Sequence, residues 1–117
     1  MPIERDERPW GYYEVVDKAD DFRVKRICIN PGKRLSYQRH FRRTEHWYVV
    51  SGSGVATLDD VDQPVKAGSS LDVALRSAHR MANVGDDDLV FIEVQTGTYF
   101  GEDDIERLSD DFGRHPD

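Results

Sequence analysis

Apolar and polar residues alternate along the chain in short runs, and this pattern predicts strands. The runs with the strongest β propensity cover residues 12–16, 22–30, 35–40, 45–51, 55–58, 70–75, 79–84 and 89–96. Turn-forming residues separate them, as at Pro31-Gly32 and over residues 51–54 and 85–88. Strands at this spacing, with no amphipathic helix between them, indicate an antiparallel barrel or sandwich rather than βαβ units.

One helix is expected near the C-terminal end, over residues 101–108. Glu102, Asp103 and Asp104 fall in its first turn, where the helix dipole favours negative charge. No internal repeat or domain boundary interrupts the pattern. We therefore expect one all-β domain over residues 1–117, with its core at about residues 8–114. Its expected form is a small antiparallel β-barrel or jelly roll with a short C-terminal helix.

Composition and charge limit the kinds of partner that the chain is expected to bind. The chain has 117 residues, with 23 Asp and Glu against 16 Lys and Arg, and a net charge of −7. This balance argues against nucleic-acid binding, which needs many cationic contacts to phosphate. No apolar run is long enough to span a membrane, and residues 1–8 lack the apolar stretch of a secretory signal. With Cys28 as its single cysteine, the chain is expected to be cytoplasmic.

Four polar residues suggest a metal site. Gln38 and His40 lie two residues apart, so they share one face of a strand. Glu45 begins the next predicted strand and His79 begins a later one. An amide oxygen, two imidazoles and a carboxylate can hold a divalent cation and leave it enough charge to polarise a bound oxygen. The spacing alone leaves a second interpretation open, in which these are buried polar residues that pair with one another.

The order of these residues resembles the two motifs of the cupin superfamily. The first motif, G-x5-H-x-H-x3,4-E-x6-G, is matched by Gly32, Gln38, His40, Glu45 and Gly52, with Gln38 in place of the first histidine. The second motif, G-x5-P-x-G-x2-H-x3-N, is matched by Gly68, Ala74, Arg76, His79 and Asn83, with Ala74 and Arg76 in place of proline and glycine.

A closer resemblance, from Arg8 to Arg114, is to the cupin domain of type II mannose-6-phosphate isomerases. The matching stretches are residues 8–11, 24–27, 31–38, 45–52 and 93–105. The resemblance implies a divalent metal at Gln38, His40, Glu45 and His79. Zinc is the first choice, ahead of manganese, iron, cobalt and nickel. The chain departs from the family in the second motif, at Ala74 and Arg76, and in the usual run of histidines after Gln38, which is reduced here to His40.

The family reaction interconverts mannose 6-phosphate and fructose 6-phosphate. It requires a group that stabilises an oxyanion, a base that moves a proton between C2 and C1, and groups that hold the phosphate. The candidate catalytic residues are Glu93 and Lys25, and the candidate phosphate ligands are Arg34, Ser36 and Arg80. Strand alternation places Glu93 on one face with Gln95, and Lys25 on one face with Ile27. Whether these faces point inward or toward solvent stays open at this point.

Two other functions compete with the isomerase. One is a non-catalytic cupin module that binds a sugar or sugar phosphate and acts with a separate nucleotidyltransferase. The other is a metal-dependent cupin dioxygenase, which Gln38 disfavours because iron cupins more often present three histidines and a carboxylate. In each case we expect a small-molecule ligand, no membrane partner, and a homodimer that protects the open sheet edges.

Neighbouring residues have simpler expectations. His46 alternates out of phase with Glu45 and should face away from the metal, and Trp47 should belong to the core. Arg39, Arg42 and Arg43 form either a solvated basic edge or a patch that attracts an anionic substrate.

Overall fold

The computed structural model describes residues 2–112 as two antiparallel sheets. The strands are β1 (Glu4–Arg8), β2 (Gly11–Lys18), β3 (Phe22–Ile29), β4 (Tyr37–Arg39), β5 (Arg43–Ser51), β6 (Ser53–Leu58), β7 (Val61–Lys66), β8 (Ser70–Val73), β9 (His79–Ala82), β10 (Leu89–Gly97) and β11 (Glu106–Ser109). The first sheet has the order β1-β2-β3-β10-β5-β8 and the second has the order β11-β4-β9-β6-β7. The all-β jelly-roll prediction is confirmed, although the sheets described here form an open sandwich and not a closed barrel.

The core lies between the sheets and follows from strand alternation. Along β5, residues facing the second sheet are buried and the intervening residues are exposed, with one exception at the strand's end. The same alternation along β10 buries Leu89, Phe91, Glu93 and Gln95. The apolar members of the core cluster are Trp10, Tyr13, Val15, Ile27, Ile29, Trp47, Val49, Ala56, Val65, Val73, Met81, Leu89 and Phe91.

The prediction of a helix over residues 101–108 is wrong. That segment forms a turn followed by β11, which pairs with β4 at the edge of the second sheet. The acidic residues do not begin a helix because the Asp104 carboxylate accepts hydrogen bonds from the backbone amides of Phe41 and Arg42, at 3.1 and 3.0 Å. A contact between segments distant in sequence therefore outweighs the local preference.

The sheets also begin earlier than expected. The charged segment Glu4–Arg8 forms the edge strand β1, which pairs with β2 and lies before the predicted start of the core at residue 8. The predicted end of the core, at residue 114, lies outside the described residues. Over the part of the chain that the structure describes, no helix has the length and apolar character needed to cross a membrane.

Candidate metal centre and its cavity

The predicted metal ligands approach one another at one end of the sandwich. His40 follows β4, Glu45 lies on β5 and His79 begins β9, and all three are buried. Their candidate ligand atoms lie within 4.8 Å of one another. The Glu45 carboxylate lies 3.4 Å from His40 Nε2 and 3.6 Å from His79 Nε2. The structure thus brings three of the four predicted ligands into one cluster.

Both imidazoles are oriented so that Nε2 faces this cluster. His40 Nδ1 lies 2.5 Å from the Asp104 carbonyl oxygen, and His79 Nδ1 lies 2.9 Å from the Ser77 carbonyl oxygen. Since a carbonyl only accepts, each Nδ1 carries the proton and each Nε2 is an acceptor; that of His40 lies 3.2 Å from Arg43 Nη2, which donates to it. His79 Nε2 is buried and has no hydrogen-bond partner in the described structure. Such an unpaired nitrogen beside a carboxylate fits the donor set of a divalent metal.

The protonation states suit the same role. Burial, helped by the nearby charge of Arg43, lowers the pKa of His40 to about 4. Burial also lowers the pKa of His79. Both imidazoles are therefore neutral at pH 7, which is the form that binds a metal ion.

Gln38, the fourth predicted ligand, lies beside the cluster. It pairs with His79 across β4 and β9, and it lines the cavity described below. Its side-chain oxygen accepts a hydrogen bond of 2.9 Å from the Ser36 hydroxyl. The position of Gln38 is compatible with the predicted set, and its role as a ligand stays a prediction.

Glu93 faces inward and is connected to the cluster through Trp47. The Trp47 indole N–H lies 3.0 Å from a Glu45 oxygen and 3.3 Å from a Glu93 oxygen, so it is shared between the two carboxyl groups. Gln95 donates a hydrogen bond of 3.0 Å to the other Glu93 oxygen. Burial and the neighbouring Glu45 raise the pKa of Glu93 to about 8. In the metal-free protein, the protonated form of this carboxyl is therefore favoured at neutral pH over the ionised form.

Arg43 lies within this cluster of polar residues, whereas the sequence analysis places it in a basic edge or patch with Arg39 and Arg42. It is buried rather than part of a solvated edge, and its guanidinium lies 3.2 Å from His40 Nε2 and 3.3 Å from a Glu45 oxygen. Alternation on β5 is the signal that identifies it, because Arg43 is two residues before Glu45 and four before Trp47. His46, out of phase with them, faces outward and pairs with Asp72, as expected.

A cavity of about 100 Å³ adjoins the cluster. Arg43 and Glu93 connect the two, since both line the cavity and both interact with the residues around Glu45. The wall is rich in cations and also contains Ser36, one of the predicted phosphate ligands; the basic residues in it are Arg8, Lys25, Arg43 and Arg107. Lys25 points inward and its Nζ lies 2.8 Å from a Glu102 oxygen. The cavity is thus suited to an anionic ligand.

The other two predicted phosphate ligands lie elsewhere. Arg34 and Arg80 line a separate groove formed by the second sheet and its loops. Arg80 alternates with His79 and Met81, which face inward, so its own side chain faces outward. The Arg34 guanidinium forms two hydrogen bonds with Asp111, at 2.7 and 2.8 Å. The structure therefore places Arg34 and Arg80 outside the cavity that adjoins the His40–Glu45–His79 cluster, and not at the metal site where the sequence predicts them.

Comparisons with known proteins agree with this architecture. A family model described as mannose-6-phosphate isomerase C-terminal matches residues 4–110. The alginate biosynthesis protein AlgA of Pseudomonas aeruginosa is 50% identical over 107 residues, covering 92% of this chain and 22% of AlgA. The mannose-1-phosphate guanylyltransferase of Escherichia coli is 41% identical over 107 residues, covering 92% of this chain and 22% of that protein. The chain thus spans about a fifth of the length of these relatives.

A solved structure supports the fold independently. The uncharacterised conserved protein with a double-stranded β-helix domain from Klebsiella pneumoniae superimposes with a TM-score of 0.73. The match covers 83% of each chain at 20% sequence identity, so this likeness speaks for the fold alone.

Proposed function

The chain belongs to the mannose-6-phosphate isomerase C-terminal family of cupin domains, and from this premise we propose that it is a metal-dependent sugar-phosphate isomerase. The proposed reaction interconverts mannose 6-phosphate and fructose 6-phosphate. The observation that carries the proposal is the buried His40–Glu45–His79 cluster next to a cavity with a cationic wall. The two features support two of the three requirements of this reaction, a group that stabilises an oxyanion and groups that hold the phosphate.

A divalent metal held by His40, Glu45 and His79, with Gln38 as the predicted fourth ligand, would act as a Lewis acid toward a substrate oxygen. Zinc is the first choice for this ion, since two imidazoles and a carboxylate suit it. The donor set does not select zinc over iron, manganese, cobalt or nickel.

Glu93 is our candidate for proton transfer. It lines the cavity, and its pKa of about 8 lies close to a neutral working pH, where a group can both take up and release a proton readily. In the proposed reaction the ionised Glu93 removes a proton from C2 of the aldose, and the protonated group returns one to C1. Lys25 lies in the same wall as a second catalytic candidate, and its charge would stabilise negative charge on the ligand.

The cationic wall is the proposed phosphate site. Lys25 and Arg43 are both buried and both line the cavity, and Ser36 adds a hydroxyl donor nearby. Arginine presents a planar pair of donors that matches phosphate oxygens, which favours Arg43 for this contact.

The test compares His79, which belongs to the cluster, with His46, which lies on β5 and faces away from it. We expect the purified protein to retain a divalent metal and to form fructose 6-phosphate from mannose 6-phosphate until a chelator is added. His79→Ala should lose both metal and turnover, because it removes a ligand. The control His46→Ala should keep both, because His46 faces outward. Retention of metal by H79A, measured by elemental analysis, contradicts the proposed site.

A second candidate is a non-catalytic module that binds a sugar phosphate alongside a separate nucleotidyltransferase. The observation in its favour is that Arg43 already pairs with His40 Nε2 and with a Glu45 oxygen, two atoms that a metal would need. Fructose 6-phosphate binding without turnover supports this module. Oxygen consumption with added iron(II) supports the dioxygenase instead.

The homodimer and the cytoplasmic location stay predictions. Light scattering in solution tests the first, because it gives the mass of the particle directly.

A further inference from the structure

Glu102 places a carboxylate between two buried cations at the cavity. It lies in the segment 98–105 between β10 and β11, and its oxygens are 2.8 Å from Lys25 Nζ and 3.9 Å from Arg43 Nη2. The side chains of Lys25 and Arg43 are 5% and 3% exposed, whereas that of Glu102 is 47% exposed. The acid therefore reaches into the site from the solvent side.

Lys25 and Arg43 have hydrogen-bonding capacity that the Glu102 carboxylate does not fill. Arg43 Nη1 is buried and has no hydrogen-bond partner in the described structure. The 3.9 Å between Glu102 and Arg43 Nη2 is an ion pair at the outer limit of contact. A phosphate monoester carries a larger charge than a carboxylate and three terminal oxygens instead of two. It is therefore the better partner for a lysine and an arginine that share one anion.

The size of the cavity leads to the same conclusion. Its volume of about 100 Å³ is below the range of roughly 300–1,000 Å³ that is usual for ligand pockets. Glu102 is part of the wall. Outward movement of this side chain would therefore enlarge the space open to a hexose phosphate.

The segment around Glu102 allows such a movement. Its neighbour Asp104 is fixed, because its carboxylate binds the amides of Phe41 and Arg42 and its carbonyl binds His40. Within the described residues, the Glu102 carboxylate forms ion pairs with Lys25 and Arg43, and about half of the side chain already faces solvent. It can swing outward while the backbone at Asp104 stays in place.

We infer that Glu102 is a built-in competitor for the phosphate of the ligand. In the free protein its carboxylate occupies the Lys25–Arg43 pair and neutralises these buried charges. A sugar phosphate binds by displacing it, which admits compounds with a strong anionic group and disfavours neutral sugars. The inference rests on the proposed function for the class of ligand, and it adds a residue that sets specificity at the same site.

The experiment measures the affinity for inorganic phosphate and for fructose, by calorimetry, in the wild type and in Glu102→Gln. Removal of the competing charge should tighten phosphate binding by about fivefold, as expected for the loss of an ion pair at the edge of solvent. Fructose affinity should change far less. Asp103→Asn is the matched control, because it removes one negative charge from the same segment at an exposed position that does not line the cavity.

An unchanged or weaker phosphate affinity in E102Q overturns the inference. So does an equal tightening in D103N, since that effect would come from net charge alone. Glu102→Ala serves as a second variant if E102Q does not fold. Because phosphate binding needs no turnover, a protein that fails the isomerase assay can still pass this test. The two proposals therefore fail separately.

Discussion

The two ends of the sandwich interior are built from the same strands but from different side chains. At one end, Val49 of β5 lies opposite Phe91 of β10, and Leu89 follows as a fully buried neighbour. At the other end, Glu45 of β5 lies opposite Gln95 of β10. The pairing of β5 with β10 keeps one register from Val49–Phe91 to Arg43–Gly97, and it shifts between Phe91 and Val90 at the apolar end. The inward-facing side chains differ more clearly, since they are apolar at one end and polar or charged at the other.

Trp47 marks the boundary between the two ends. Its ring packs against Phe91, with centroids 5.4 Å apart, while its N–H is shared by Glu45 and Glu93. The difference between the ends explains how a domain of this size tolerates buried polar and charged side chains. Hydrocarbon burial at one end stabilises the fold, and it offsets the cost of the desolvated charges at the other.

The largest expected effect is at the apolar end. Phe91→Ala should lower the free energy of unfolding by about 3–5 kcal/mol, because it removes a fully buried ring and leaves a cavity. Urea denaturation measures this loss. Ile92→Ala is the control, because Ile92 is on the same strand but half-buried on the opposite face, and it should cost less. A loss below about 1 kcal/mol for F91A would show that the apolar end is not the main source of stability.

Much of the difference between the apolar and polar ends of the sandwich can be predicted from the sequence. The alternation of Arg43, Glu45, Trp47 and Val49 gives both the strand and its inward face, and spacing within the family motifs brings His40 to His79. The first feature is predictable because it depends on the period of a strand, which is local, whereas the second follows from the family resemblance.

The features that the sequence does not reveal depend on distant contacts. The strand β11 was expected to be a helix, since nothing local indicates that Asp104 binds the amides of Phe41 and Arg42. The orientations of Arg43 and Arg80 are an exception, because alternation against Glu45 and His79 indicates that the first faces inward and the second outward. The ion pairs of Glu102 are likewise not predictable, because Lys25 and Arg43 lie on β3 and β5, far from it in sequence.

The next largest expected effect tests how much a buried carboxyl group at the polar end lowers the stability of the fold. The pKa of Glu93 is raised to about 8 from an unfolded value near 4.5. Above pH 4.5 the unfolded chain releases this proton while the folded protein keeps it, so the contribution of Glu93 to stability falls as pH rises toward 8. Glu93→Gln removes this titration. In metal-free protein, E93Q should therefore gain stability relative to wild type over that range, by roughly 2–4 kcal/mol at pH 8.

The hydrogen bonds around Glu93 permit this substitution. A glutamine oxygen still accepts from Trp47, and the Gln95 amide can turn so that its buried oxygen, which has no partner in the described structure, accepts from the new amide. Urea denaturation of both proteins at pH 5 and pH 8 measures the difference. If E93Q loses stability equally at both pH values, the polar end contributes to the fold in the same way as the apolar end. The same variant should lose isomerase turnover.

The smallest expected effect concerns the turns at the two ends. Gly52 and Gly68 take left-handed backbone conformations with φ of 86° and 92°, which glycine adopts without cost. Arg76, in the turn before His79, has φ of 65° and carries a side chain where the family motif has glycine. Its amide donates to the His40 carbonyl at 2.8 Å, so the turn links the two histidines of the cluster and holds Arg76 in this conformation.

Arg76→Gly should therefore raise the free energy of unfolding by about 1 kcal/mol, because the left-handed conformation costs a non-glycine residue about that amount. Leu75→Gly in the same turn is the control. Leu75 is not among the residues with positive φ, so glycine there brings only extra freedom to the unfolded chain and should lower stability. Thermal unfolding of both variants measures the two signs. A gain for R76G with unchanged metal affinity would mean that the strain is incidental to the site, whereas a gain accompanied by weaker metal binding would mean that the strained turn helps to position His79.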